Sequence, residues 1–320
     1  MLPNDADKSA YTRSDLKTMQ AWPLAKKIRV SQLRIMEWYE KWGGQVYVSF
    51  SGGKDSTVLL DLARRVCEDI PGVFVDTGLE WPEIRAFVKS QENIIWLKPQ
   101  MRFDEVIDTY GYPVISKDVS NRVYYAQKGS KGCLLDMQGM NKDGSVSPYK
   151  TALYGKYQYL IEAPFKIGAG CCRVMKKTPC KHFEKESGRK PIVGTMACES
   201  VSRTVSWLKH GCNAFDSARP ISQPLSFWTE QDVLAYLKGT GAPYCSVYGD
   251  IVKEDGVWRT TGEQRTGCMF CAYGEHLEKS PNKFERMKLT HPKIYDYCIR
   301  DKGEGGLGMG RVLDYVGIPY

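Results

Sequence analysis

Within Ser51-Gly52-Gly53-Lys54-Asp55-Ser56 the chain sets two glycines, a lysine, two hydroxyls and a carboxylate side by side. These residue types suit a phosphate group. The glycines let the backbone turn tightly and let an anion approach its N–H groups. Lys54 adds a mobile positive charge, Ser51 and Ser56 add hydroxyls, and Asp55 is placed to orient the loop or a magnesium ion. The spacing is not that of a Walker A loop, which separates its glycines further and ends in Gly-Lys-Ser/Thr. Cysteines supply a second chemistry: Cys171 and Cys172 are adjacent, and Cys268-x-x-Cys271 presents two thiols on one turn. An adjacent pair fits zinc knuckles poorly and the corners of a four-iron cluster better, but spacing alone leaves iron, zinc and buried structural thiols all open.

The elements that must hold these groups read clearly around the glycines. Val46 to Phe50 is an apolar strand, and Val58, Leu59, Leu62 and Val66 follow the loop at helical spacing. Strand, glycine turn and helix start together aim backbone N–H groups and the helix dipole at an anion. A second strand, Val73-Phe74-Val75, leads into Asp76-Thr77-Gly78, and Trp81-Pro82-Glu83 opens a helix. Asp76 stands at a strand's carboxyl end, where open α/β sheets place ligand-binding carboxylates. Ile94 to Leu97 is a third strand and Phe103 to Tyr110 a short helix; Asp118 to Gln127 reads as helical, and Gly139 to Pro148 as loop. Thr178 and Pro179 are suitable N-cap and first residues for a helix ending at Gly188. Ile192-Val193-Gly194 is another strand, whose following loop, Thr195 to Arg203, enters a helix. Thr229 caps a helix through Val233, Leu234 and Leu237, and Ser280-Pro281 and His291-Pro292 open two more. The alternation predicts a parallel sheet covered by helices on both faces, followed by a cysteine-bearing C-terminal region. Residues 1–22 read as a mobile tail, 23–275 as the main domain and 276–320 as a helical extension. Ile28, Ile35, Trp38 and Trp42 share one face of a helix that Gly43-Gly44 ends.

A chain of 320 residues with 42% hydrophobic residues can bury a full core. Its polar N-terminus lacks the apolar run of a signal peptide and no stretch reaches the length of a membrane span, so a cytoplasmic protein without a membrane partner is expected. Eleven cysteines in such a chain point to metal or sulfur chemistry before disulfides. The net charge of +8 suits a polyanionic ligand without demanding nucleic acid. Tyrosines 149, 154, 157 and 159 stand among lysines, a surface that packing explains better than base stacking.

The loop Ser51 to Ser56 resembles the PP-loop of the ATP pyrophosphatases, which cleave ATP between its α- and β-phosphates. From about Arg29 to Gly274 the chain is similar to the phosphoadenosine phosphosulfate (PAPS) reductase family. Asp76-Thr77-Gly78, Cys171-Cys172 with Lys176 and Pro179, Glu199-Ser200 with Arg203, Pro224-Leu225 with Trp228-Thr229, and Cys268-x-x-Cys271 carry that similarity in order. The resemblance implies an adenine nucleotide alpha hydrolase-like, Rossmann-like α/β fold. It implies nucleotide binding by Ser51, Gly52, Gly53, Lys54, Asp55, Ser56, Asp76, Thr77 and Gly78, with Lys54, Asp55 and Arg203 catalytic. It implies contacts from Arg173, Lys176, Glu199 and Ser200 to acceptor or phosphates. A [4Fe-4S] cluster on Cys171, Cys172, Cys268 and Cys271 follows from the cluster-bearing members, with ATP and Mg²⁺ as the other expected ligands.

Three departures shape the expected activity. The family's reductases end in a catalytic cysteine followed by Gly-Leu-His, whereas the last cysteine here is Cys298, followed by Ile299-Arg300. Met196 stands near the place of a substrate-binding arginine, and the loop keeps the lysine those reductases commonly lose. The motif set resembles most closely ATP-using, iron-sulfur sulfur-transfer members such as the DNA phosphorothioation component. The expectation is adenylylation of an acceptor, nucleic acid or small molecule, coupled to sulfur transfer from a donor such as a cysteine desulfurase. The alternatives are an adenylyl-sulfate or PAPS reductase with an atypical thiol and a non-catalytic nucleic-acid-binding component.

Overall fold

The computed structural model describes residues 11–320. Among them ten strands follow one another: β1 (Val46–Ser49), β2 (Gly72–Val75), β3 (Ile94–Leu97), β4 (Val114–Ile115), β5 (Lys190–Val193), β6 (Asn213–Ala214), β7 (Ile221–Ser222), β8 (Ile251–Glu254), β9 (Val257–Thr260) and β10 (Ala272–Tyr273). The chain divides into two compact units that interleave in sequence. The first takes residues up to Asp76 with Trp81–Leu97 and Cys180–Thr266; the second takes Thr77–Glu80, Lys98–Pro179 and Gly267–Tyr320.

The first unit is a six-stranded sheet in the order β3-β2-β1-β5-β7-β6, parallel except for the antiparallel edge pair β6–β7. Val46, Tyr47 and Val48 of β1 are all buried, so this strand is covered on both faces, which only a sheet sandwiched between helices allows. Tyr47 meets Phe183 edge-on at 5.3 Å from the Thr178–Ser187 helix, while Val58, Leu59 and Leu62 bury the inner face of the Lys54–Val66 helix. The Leu24–Lys41 helix buries Ile35 and Trp38, as the 3.6-residue spacing predicts, and Gly43 and Gly44 end it with φ of 54° and 76°. Pairing runs outward from β1 in both directions: the chain moves to β2 and β3 on one side, then returns to β5 on the other. The gap between β1 and β5 is therefore a topological switch point, where ligands bind at strand carboxyl ends in open α/β sheets.

In the second unit β4 pairs in parallel with β10, Val114 opposite Ala272 and Ile115 opposite Tyr273. Just upstream, Tyr112 bridges to Ile167. Short helices fill out the unit, including Lys117–Gln127 on a Ser116 cap and Lys283–Thr290 on an Asn282 cap.

Two local expectations change. Of the tail expected over 1–22, residues 1–10 lie outside the described residues, and Arg13–Gln20 is a helix started by a Thr12–Asp15 capping box. Thr178 is not an N-cap. The helix enters through a π-turn, Arg173–Lys177, and the Thr178 N–H reaches back five residues to Arg173. Pro179 has no N–H to give and would crowd the carbonyl four residues back, so the wider turn accommodates it.

Candidate nucleotide and thiol sites

The Ser51–Ser56 loop sits at the carboxyl end of β1, at the switch point. Gly53 caps the Lys54–Val66 helix in an extended conformation, and Gly52 takes φ of 73°. A Cβ on Gly52 would lie 2.8 Å from Val88 and 2.9 Å from Ile84, so both the dihedral and the close approach require glycine. Ser56 ties the loop together: its hydroxyl accepts from the Ser51 N–H at 3.1 Å, lies 3.0 Å from the Ser51 hydroxyl and donates to the Gly53 carbonyl at 2.9 Å. On the neighbouring strand, Gly194 lets the helix start approach; its Cβ would meet the Asp55 carbonyl at 3.2 Å.

Lys54 is 5% exposed and turned inward. Its ammonium donates to the Gln264 carbonyl at 3.0 Å and pairs with Glu230 at 3.1 Å, with Asp55 at 3.9 Å. Burial raises the Asp55 carboxyl above its ordinary value, Lys54 opposes this, and the charges of Glu199 and Glu230 add to the rise. One Asp55 oxygen is buried with no hydrogen-bond partner in the protein, an open acceptor beside the loop. Its chemistry suits a divalent cation or a protonated ligand group.

The two flanking strand ends contribute next. Asp76 directly follows β2 and pairs with Arg85 at 2.7 Å, leaving its other oxygen buried and without a hydrogen-bond partner. After β5, Glu199 accepts from the Met196 N–H at 2.7 Å and pairs with Arg203, while Ser200 caps the Val201–His210 helix. Asp55 and Glu199 feel each other's charge, so the Glu-Ser-x-x-Arg segment does converge on the loop. Cys198 is exposed, but burial of its sulfur and then the Glu199 charge raise its pKa, which keeps it a thiol at neutral pH.

In the second unit, the four predicted cysteines hang on one stretch of backbone. Tyr112 holds the chain ahead of Cys171: its N–H donates to Lys166 at 2.9 Å and its carbonyl accepts from Gly168 at 3.1 Å. Just beyond it, Pro113 and Ile115 accept from Ala272 at 3.2 Å and Gly274 at 2.9 Å, fixing the chain just after Cys271. All four thiols are free; burial raises the pKa of Cys171, Cys268 and Cys271, the last up to about 11, and neighbouring thiols add to each rise. Among the described residues, no set of three or more His, Cys, Asp or Glu side chains stands at metal-holding distance.

Two cations attend the thiols. Lys176 lies beside Cys268 and pairs with Glu80 at 3.5 Å; Glu80 in turn accepts from the Thr77 hydroxyl at 2.7 Å. Lys283 donates to the Cys271 carbonyl and makes a buried ion pair with Glu275 at 2.8 Å. Thr77 and Gly78 thus turn around Glu80, and Arg173 rests over the Tyr110 ring, 5.2 Å from its centre. Sequence reasoning missed Glu230, Tyr248, Gln264, Glu80, Lys283 and Glu275. No short pattern marks them, because each reaches its site through tertiary placement.

A family model described as "Phosphoadenosine phosphosulfate reductase domain" matches residues 45–122, from just ahead of β1 into the Lys117–Gln127 helix. An uncharacterized protein of Methanocaldococcus jannaschii is 27% identical over 81% of this chain and 41% of its own length. An adenosine 5'-phosphosulfate reductase of Bacillus velezensis is 29% identical over 30% of this chain and 44% of its own. The chain thus spans less than half the length of these two relatives. A PAPS reductase structure from Candida auris aligns over 74% of this chain and 91% of its own, at 13% identity and a TM-score of 0.39. Among the described residues, no helix is long and apolar enough to cross a membrane.

Proposed function

We propose that the protein binds ATP with Mg²⁺ at Ser51–Ser56 and transfers its adenylyl group to an acceptor oxygen, releasing pyrophosphate, as the activating step of sulfur transfer. The observation that carries this reading is an intact lysine on the first turn of a helix whose N-terminus faces the sheet's switch point. The acceptor oxygen bonds to the α-phosphorus as the bond to the bridging oxygen breaks, and the electron pair leaves with pyrophosphate. The loop N–H groups, of which Ser51 and Gly53 now donate to loop hydroxyls, and Lys54 would stabilise that leaving charge; such transfers depend on positioning and electrostatics. Asp55 and Asp76, each with a buried unpartnered oxygen, would hold the cation, which would neutralise charge on the phosphates when bound. Arg203, Glu199 and Ser200 would border the acceptor side.

Cys171, Cys172, Cys268 and Cys271 would hold a [4Fe-4S] cluster. These free thiols, tied by residues 112–115, are the donors this reading names, and they would have to draw together to hold it, since no three stand at metal-holding distance among the described residues. The relatives named adenosine 5'-phosphosulfate reductase favour a second reading, reduction of an activated sulfate. That reaction needs an accessible thiolate, and Cys298 is fully buried in the Pro292–Ile299 helix with its pKa raised by burial. Comparing nucleic acids and metabolites by mass spectrometry from cells with and without the protein tests the sulfur-transfer reading. A protein-dependent thiolated species is expected; thioredoxin-dependent sulfite release by the pure protein, with no such species, would favour the reductase instead.

A further inference from the structure

The first N–H of the phosphate-loop helix already has an acceptor. Lys54 donates its backbone N–H to the Tyr248 hydroxyl at 3.1 Å, and that hydroxyl lies 2.6 Å from the hydroxyl of Thr266. The ring of Tyr248 is buried, and the Lys54 ammonium stands 5.7 Å from its centre. A Cβ built on Gly53 would come within 3.3 Å of the Tyr248 oxygen and 3.5 Å of the Thr266 oxygen, so both hydroxyls rest on the loop itself. The Lys54 side chain is engaged by the same segment, through the Gln264 carbonyl.

Tyr248 and Gln264 to Thr266 flank the hairpin β8–β9, whose strands pair from Ile251–Thr260 to Glu254–Val257. The base of that hairpin is welded: Gly262 donates to the Tyr248 carbonyl at 2.8 Å and Glu263 to the Val247 carbonyl at 2.9 Å. Gly249 and Gly262 permit this backbone contact, since a Cβ on either would meet the other leg at under 3.0 Å. The two legs therefore move as one piece, with Tyr248, Gln264 and Thr266 on it. Gln264 and Arg265 are exposed, whereas the Tyr248 ring and Ile251 are buried, so displacing the hydroxyls works against that packing.

A phosphate oxygen bound at the helix N-terminus would accept from the same N–H that Tyr248 now holds. We infer that the paired hydroxyls of Tyr248 and Thr266 are an internal stopper, occupying the place of a phosphoanhydride oxygen and leaving when pyrophosphate or ATP arrives. This rests on the phosphate-loop reading proposed above. Removing the competing acceptor then makes the site bind its anion more tightly, by the worth of one hydrogen bond, about three- to tenfold in affinity.

The experiment is calorimetric titration of the full chain with Mg²⁺ and inorganic pyrophosphate, for the unaltered protein, Tyr248→Phe, Thr266→Val and Lys54→Ala. Tyr248→Phe is expected to tighten binding about three- to tenfold and Thr266→Val less, while Lys54→Ala weakens it. Unchanged or weaker binding by Tyr248→Phe, with Lys54→Ala still weakening it, overturns the stopper and leaves the phosphate loop standing. Indifference of every variant, or no binding by any, overturns the phosphate-loop reading and the stopper with it. A second measurement needs no variant. Amide hydrogen exchange across 246–266 should rise when pyrophosphate is added; unchanged or slower exchange there overturns the stopper.

Discussion

In the phosphate loop the groups on offer come from six consecutive residues and are largely backbone N–H; in the thiol region they are four side chains from two distant segments, held by residues 112–115. The loop's geometry is built into local conformation: a glycine at φ of 73°, a second glycine as helix cap, and a serine that bonds both arms. The thiol region has no such local rule. Its four sulfurs share a neighbourhood only because Tyr112 to Ile115 pair with the chain ahead of Cys171 and after Cys271. A backbone-built site should tolerate side-chain change except at its glycines and lysine, whereas a side-chain-built site should lose its function with any single donor.

The largest expected effect tests the second half of that contrast. Anaerobically purified protein should be brown, with iron and sulfide in near-equal amounts, and changing any one of Cys171, Cys172, Cys268 or Cys271 to Ser should abolish colour and iron. Cys67→Ser, in the other unit, should leave both unchanged. Stoichiometric zinc in freshly made, colourless protein would contradict the cluster.

The loop's glycines supply the next contrast. Gly52→Ala pays for a left-handed dihedral and for contact with Val88 and Ile84, about 2–5 kcal/mol together. Gly78 has the same φ of 73° but open space around its Cβ, so Gly78→Ala should cost only the dihedral, about 1–2 kcal/mol. Denaturant midpoints of the two variants measure the difference; equal losses would mean that the contact with Val88 and Ile84 does not constrain the loop.

The smallest effect is electrostatic. Burial raises Asp55 above 3.8, so the protonated form is the one folding favours. Its contribution to stability is full below that ordinary value and is lost as pH rises through the higher folded-state value. Asp55→Asn escapes this loss. Its melting temperature relative to the unaltered protein should climb between pH 3.5 and neutrality, and a gap that stays level or narrows would contradict the burial argument.

How much of this was legible in the sequence follows from the same contrast. The strand, turn and helix around Gly52 were readable because a continuous apolar run and a helical periodicity meet at glycines there, and Thr229 was readable as a cap by its residue type ahead of an apolar helical face; the Asp232 box is added by the structure. The four cysteines were readable as residue types, but nothing local says that Ile115 opposite Tyr273 and Tyr112 opposite Ile167 would bring them to one strand. Thr178-Pro179 misled for a physical reason: a helix start and a π-turn relieved by proline look alike in sequence. Tyr248, Gln264 and Glu230 reach Lys54 from residues far along the chain, and only the tertiary fold reveals them.

The central claim, cleavage of ATP at the α–β bond by the loop of the first unit, is tested most directly by product analysis with ATP labelled separately in its α- and γ-phosphates. The expected products are AMP, free or joined to acceptor, and pyrophosphate carrying the γ-label, with turnover falling about a hundredfold or more in Lys54→Ala. Accumulation of ADP and labelled orthophosphate, or normal turnover in Lys54→Ala, would contradict it.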